Sequence, residues 1–505
     1  MPEKAFCSDR TVNIGASPNP AWSGWSPDSS NARYTASSGI TLNQVGRLKL
    51  KWAYAFDGDV SAFGAPTVLG STLFVGSAGG TVQALSTDSG CVRWVYQASG
   101  PVRSAMVAAP NGNKHVLVFT DLTGWAYGVE AETGRQLWKK KPEQHESTRL
   151  TGSAIVHDGI VYIPAASWEE TRANNPDYAC CTFRGSVTAL RAVDGTEVWK
   201  TYTIRETPKA IEKGGVGIFG PSGAGVWSAP TLDTKRGLIY VTTGDNFSTP
   251  ASDMSDGVLA LNLKTGRIVW SKELTPGDVF SGVCQSSKCP GPDYDFGSSA
   301  ILEKLPGGRD VLLAGQKSGV VYALDPERKG EILWKTSVGK GGTNGGVQWG
   351  MATDGQKVYA AVSDLQRKGG ATAGLGSTPD PTQGGGLTAL SITDGTKVWY
   401  APPQACGSKP GCSPAQPAAV TAIPGVVFSG SDDGHLRAFA SEDGHVLWDF
   451  DTARDYKTVN GVPGKGGSLD GAGPVVAGGM LFVNSGYARN GGMPGNVLLA
   501  FTAGE

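Results

Sequence analysis

GSVTALRAVDGTEVW, residues 185–199, is the plainest copy of a string of the form G-x-V-x-A-L-x-x-x-x-G-x-x-x-W. The same spacing returns at 80–94, 124–138, 256–270, 385–399 and 434–448, with Asp256 replacing the first Gly in one copy, and with one extra residue at 319–334. Seven copies therefore end on Trp94, Trp138, Trp199, Trp270, Trp334, Trp399 and Trp448, and an eighth Trp, Trp52, opens a strand-like run that lacks the first half. Within each copy V-x-A-L reads as a short alternating strand, the polar residues before Gly as a turn, and the Trp as the start of a second strand. Trp-to-Trp steps of 42 to 71 residues leave room for four strands per unit, and no long 3.6-residue period argues for helices.

Sheets that bury their faces only against neighbouring copies build a solenoid or a propeller. The ends favour the second. Residues 495–501 (GNVLLAF) are the first half of the repeat with no Trp after it, and 48–56 (LKLKWAYAF) are the Trp half with no strand before it. Pairing the two completes a blade and removes both exposed edges. The expectation is an all-β, eight-bladed propeller of four-stranded antiparallel blades, one domain over residues 1–505, closed by N- and C-terminal strands sharing the last blade.

Composition suits dozens of hairpin turns: 73 Gly in 505 residues is about twice the usual share, with 30 Pro. Lys plus Arg is 44 against 45 Asp plus Glu, so no net field recommends nucleic acid or anionic lipid as a partner. No apolar run is long enough to span a bilayer. The N-terminus carries no apolar signal core, and the eight cysteines point to an oxidising compartment, so a periplasmic or secreted protein with its signal removed is expected. Cys284 with Cys289 and Cys406 with Cys412 read as local bridges, and Cys7 reaches Cys91 if the N-terminal arm folds back. There is no C-x-x-C, and none of the five His lies near a Cys, which argues against zinc.

In a ring of repeats, function belongs to the insertions. These are 167–183 (SWEETRANNPDYACCTF), 221–245, 290–299 (PGPDYDFGSS), 339–350 (GKGGTNGGVQWG) and 460–474. The first four, with Lys317, bring together Glu169, Glu170, Cys180, Cys181, Trp227, Asp245, Asn246, Asp293, Asp295 and Trp349. Oxygen donors without His suit a hard cation such as calcium. Trp227 among glycines suits a planar ligand. Cys180 and Cys181, if bridged, close an eight-membered ring with a flat apolar face; two free thiols are the alternative.

With CCTFRGSV, GPSGAGVWSAPTLDTKRGLIYVTTGDN, DYDFGSSAIL, AGQKSGVVYALDP and FSGSDDGHLRAF, the chain resembles the quinoprotein alcohol dehydrogenases that use pyrroloquinoline quinone (PQQ), most of all those acting on polyvinyl alcohol. The resemblance implies PQQ and Ca2+ on the propeller axis and oxidation of secondary alcohols, polyvinyl alcohol among them, to ketones. It implies Trp227 as the floor under the quinone, Lys317 at its carbonyls, Arg103 and Thr151 at its carboxylates, and Asp295 as catalytic base and metal neighbour. Glu169 or Glu170, and Asp245 or Asn246, take the places of metal ligands. Cys180 and Cys181 are grouped with the cofactor-binding residues, as the family's vicinal pair is, although they lie in a different unit from that pair and precede the RGSV strand next to the metal ligands. Trp349 is grouped with the cofactor-binding residues, and Arg184 too, or else in a blade salt bridge. With no C-x-x-C-H in the chain, an external cytochrome c is implied as electron acceptor, and no cytochrome c domain is expected. A non-catalytic scaffold like the outer-membrane assembly lipoproteins, which share the repeat, is the rival reading. A hydrolase or lyase would need an acid–base pair or His cluster that is missing from the loops.

Overall fold

Eight antiparallel sheets of at least four strands each account for the repeats in the computed structural model, which describes residues 3–14, 21–211, 217–282, 290–369 and 377–504. Blades 1 to 7 occupy 67–97, 107–140, 155–202, 231–273, 301–337, 352–401 and 421–451 in chain order. Blade 8 joins Val475–Ala477, Met480–Ser485 and Val497–Ala503 to Leu48–Ala55 near the N-terminus, with Leu48 opposite Ala503 and Ala55 opposite Val497. The ring closes where the two halves of the repeat meet, as their sequences imply.

The repeat is explained by what each position touches. Between the Ala and the Leu of V-x-A-L the pairing to the next strand slips by one residue, which sets the Trp opposite the Ala: Trp199 faces Ala189 and Trp334 faces Ala323. Blade 2 has Gly128 there, and a Cβ on it would lie 2.2 Å from Trp138 Nε1. The Trp then reaches the following blade. Trp138 Nε1 donates to Ala192 O at 2.8 Å, and Gly195, at φ +69°, leaves room for the ring, since a Cβ there would stand 2.8 Å from Trp138 Cδ2. The same indole-to-carbonyl bond joins Trp52, Trp94, Trp199, Trp334, Trp399 and Trp448 to the next blade. Trp270 is the exception and its Nε1 has no partner; it faces the blade whose repeat carries the extra residue, where Pro326–Arg328 forms a 3-10 turn.

Buried apolar side chains gather in the eight gaps between neighbouring blades, from Trp52, Leu73 and Phe482 at the blade 8 to blade 1 seam, to Leu48, Phe428 and Leu499 between blades 7 and 8. Before the first blade, the chain crosses the axis. Carbonyls of Ser29, Ser30, Ala32, Arg33 and Ser38 accept from Leu232, Leu302, Thr353, Ala422 and Gly479, one in each of blades 4 to 8. Arg33, fully buried, donates to the carbonyls of Trp25, Val420, Ala472 and Pro474 and to the Thr421 hydroxyl, with its guanidinium 4.7 Å from the Trp25 ring. Cys7 bridges to Cys91, and Cys406 to Cys412; the expected Cys284 to Cys289 bridge falls outside the described residues.

Candidate active site

In every blade the segment before the first strand and the segment after the second reach the same end of the ring. Arg103, Thr151, Trp227, Asp293, Asp295 and Trp349 precede first strands, whereas Trp168, Glu170, Asp245, Lys317 and Arg489 follow second strands. This rule draws the insertions to one mouth, where a cavity of about 560 Å³ is lined by Arg103, Thr151, Trp227, Glu170, Asp245 and Asp295 among others.

The cavity has an acidic pole. Asp245, Asp293 and Asp295 each offer a carboxylate oxygen within 4.8 Å of the others, and all three are buried. Lys317 Nζ binds Asp293 Oδ1 and lies 3.0 Å from Asp295 Oδ2, while Asp245 N donates to Asp295 Oδ1 at 2.7 Å. Burial, followed by the charge of Asp295, pushes the carboxyl of Asp245 well above its usual range and that of Glu170 up to about 7. Burial does the same to Asp293 against the pull of Lys317. Lys317 stays charged although burial works against it, because Asp293 and Asp295 flank it. Carboxylates without enough cations, and Asp245 Oδ2 with no hydrogen-bond partner, make a group that could hold a metal ion.

The opposite pole is cationic and aromatic. Arg103 lays its guanidinium 3.8 Å over the Trp349 ring and donates to the Tyr487 hydroxyl at 3.0 Å, leaving Nη2 buried without a partner. Trp349 donates from Nε1 to Asp470 Oδ1 at 2.5 Å and meets Trp227 edge-on at 5.1 Å. Glycines give Trp227 its place: a Cβ on Gly297 would lie 1.9 Å from its Cη2, and one on Gly244 2.6 Å from Asp295 Oδ1. A planar dianion or trianion with a metal at one end matches this division of charge.

Several sequence expectations are redirected by these contacts. Glu169, fully buried, turns away from the cavity: Oε1 accepts from Thr182 N and the Tyr178 hydroxyl, Oε2 from Phe183 N, so Glu170 is the residue of the pair that lines the cavity. Asn246 is likewise committed, donating to Ser255 Oγ and Asp278 O and accepting from Ser252 N, which leaves Asp245. Cys180 and Cys181 are bonded to each other but pack with Phe183 and Phe247 behind the wall that Phe247 presents, so they do not cover the cavity. Arg184 donates to the carbonyls of Ile204, Arg205 and Glu206 and stacks on Tyr202, outside the site. Arg149, Trp168, Tyr487 and Arg489 line the cavity without having been singled out in the sequence; the loop after the second strand of blade 8, SGYARN, obeys the same rule of placement as the recognised insertions.

Residues 22–340 match the family model for the β-propeller domain of PQQ-type glucose, ethanol and alcohol dehydrogenases, and 255–501 match that of the outer membrane protein assembly factor BamB. The chain belongs to the PQQ-dependent alcohol dehydrogenases. Its relatives include the polyvinylalcohol dehydrogenase of Pseudomonas sp., 41% identical over 98% of this chain and 79% of that protein, and that of Sphingopyxis sp. (strain 113P3), 38% identical over 97% and 77%. Among solved structures, the quinohemoprotein alcohol dehydrogenase ADHIIG of Pseudomonas putida HK5 superposes with a TM-score of 0.72 at 20% identity, over 99% of this chain and 82% of that one.

Proposed function

We propose that this propeller, acting as one domain, oxidises secondary alcohols to ketones with PQQ and Ca2+, and that polyvinyl alcohol, named in two of its relatives, is its substrate. The observation that carries this reading is the two-poled cavity, with buried carboxylates at one end and Arg103 at the other, beside the face of Trp227. Glu170, Asp245 and Asp295 are the ligands for the ion, all oxygen donors as calcium prefers. Arg103 and Thr151 hold carboxylates of the quinone. When bound, the quinone supplies the two-electron acceptor and the ion a Lewis acid.

Asp295 takes the hydroxyl proton of the alcohol as the C–H pair of electrons leaves as hydride and the C=O bond forms. Lys317 bonds both Asp293 and Asp295 and so holds the Asp295 carboxylate in place beside the reacting carbinol. Electrons then pass to a cytochrome c as acceptor, and the bridges Cys7 to Cys91 and Cys406 to Cys412 suit a periplasmic or secreted setting. A scaffold of the assembly-factor kind would have no use for three carboxylates buried around a lysine at the axis.

Apo-protein mixed with PQQ and Ca2+ should reduce a dye with 2-propanol and with polyvinyl alcohol. Asp295→Asn should lower kcat about 10²–10⁴-fold while the quinone absorbance remains. Full turnover by that variant removes Asp295 as the base, and absence of both quinone uptake and dye reduction in the unaltered protein returns the scaffold.

A further inference from the structure

The cavity is a blind one. Arg103, Thr151, Trp227 and Trp349 line it and also line a residual space of about 20 Å³ beneath, whose other wall includes Trp25, Phe63 and Ala472. Trp25 belongs to the segment that crosses the axis, and Arg33 pins that segment to blades 7 and 8. Among the described residues, this segment stands across the floor of the cavity. A chain-like substrate whose reacting carbinol sits at the acidic pole must bring both flanking stretches back out through the mouth it entered.

At that mouth stands Trp168, with 39% of its surface exposed, in the segment that also carries Glu170. Arg149 lies over its ring at 4.1 Å, and Arg489, from the loop of blade 8, at 5.6 Å. Among the described residues neither guanidinium has a carboxylate within ion-pair distance. Asn490, exposed, continues the same edge. An indole braced by two cations is held in one orientation, and unpaired guanidinium N–H groups remain as donors beside an apolar face.

We propose that Trp168, with Arg149 and Arg489, forms a rim subsite for the units of a hydroxylated carbon chain that flank the reacting carbinol. Methylene groups lie on the indole and hydroxyl oxygens accept from the guanidinium N–H groups, a pairing that an uncharged alternation of CH2 and CHOH satisfies along its length. The inference rests on the alcohol-oxidising reading of the cavity.

The test uses quinone- and calcium-loaded protein and two substrates, polyvinyl alcohol and 2-propanol, the second too short to reach the rim. Trp168→Ala should raise the ratio of KM for the polymer to KM for 2-propanol about tenfold, and Trp168→Phe should restore most of it. An unchanged ratio overturns the subsite. So does loss of quinone uptake in Trp168→Ala and Arg489→Gln, which assigns the rim to the carboxylates of the cofactor. Calorimetric titration of protein loaded with the reduced quinone, which can accept no further hydride, reads polyvinyl alcohol binding at the rim without turnover: weaker binding in Trp168→Ala supports it, equal binding overturns it. Failure of the underlying reading has its own signature, since the unaltered protein then oxidises neither alcohol.

Discussion

Gly195 shows how much one residue of the repeat decides. Its positive φ and its contact with Trp138 mean that Gly195→Ala sets a Cβ both into a left-handed backbone and into an indole. The cost is about 1–3 kcal/mol, read as a fall in the urea midpoint at unchanged slope. The glycine and the tryptophan are four residues apart in the string, yet seven of the eight Trp meet the glycine of the next copy, Trp448 meeting Leu48 instead, so the periodicity records a contact between blades as well as a turn. At the site, single residues were legible when their chemistry was unusual for a repeat: Trp227, Asp245, Asp295, Lys317 and Trp349 line the cavity or its acidic pole, as do Arg103 and Thr151, which only the family resemblance singled out. The choice between Glu169 and Glu170 was not legible. It is made by the amides of Thr182 and Phe183, more than a dozen residues away, which capture one carboxylate and leave its neighbour, about 100° round a helical turn, to face inward.

The insertion 167–183 works as a unit because of that captured carboxylate. Glu169 staples the short helix Glu169–Arg172 to the loop residues Thr182 and Phe183 that follow Cys181, and the packed group Cys180, Cys181, Phe183 and Phe247 backs it. Glu169→Ala leaves the amides of Thr182 and Phe183, the second of them buried, unpaired and frees the turn that aims Glu170. Calcium affinity of the quinone-loaded protein should drop about 10- to 100-fold, measured by titration after chelation, with recovery at high calcium. A merely structural loss would not be rescued by the ion. The vicinal cysteines were plain in the sequence, but their place was not, since which wall a loop backs depends on the neighbouring blade, here through Phe247. Arg489 and Tyr487 escaped notice for a related reason: their loop is short and carries no acid or cysteine, and only the finished ring brings it to the mouth.

Closure governs the molecule as a whole. Leu499 lies fully buried in the seam where the C-terminal strand meets Leu48–Ala55 and blade 7. Leu499→Asp places an unpaired charge there and should destabilise the ring by at least about 3 kcal/mol. Far-ultraviolet dichroism and tryptophan emission should fall together, because the eight gaps share their walls; separate transitions would show that the blades unfold one by one. The eight-fold architecture could be read from the half-repeats at the two ends, whereas the segment across the axis could not, since it has no periodicity and bonds to five blades mainly through its carbonyls. That segment also sets the order of traffic. With Trp25 and Arg33 stopping the far side among the described residues, one doorway serves every visitor, so whatever settles deepest must arrive before the others and can depart only after they have gone.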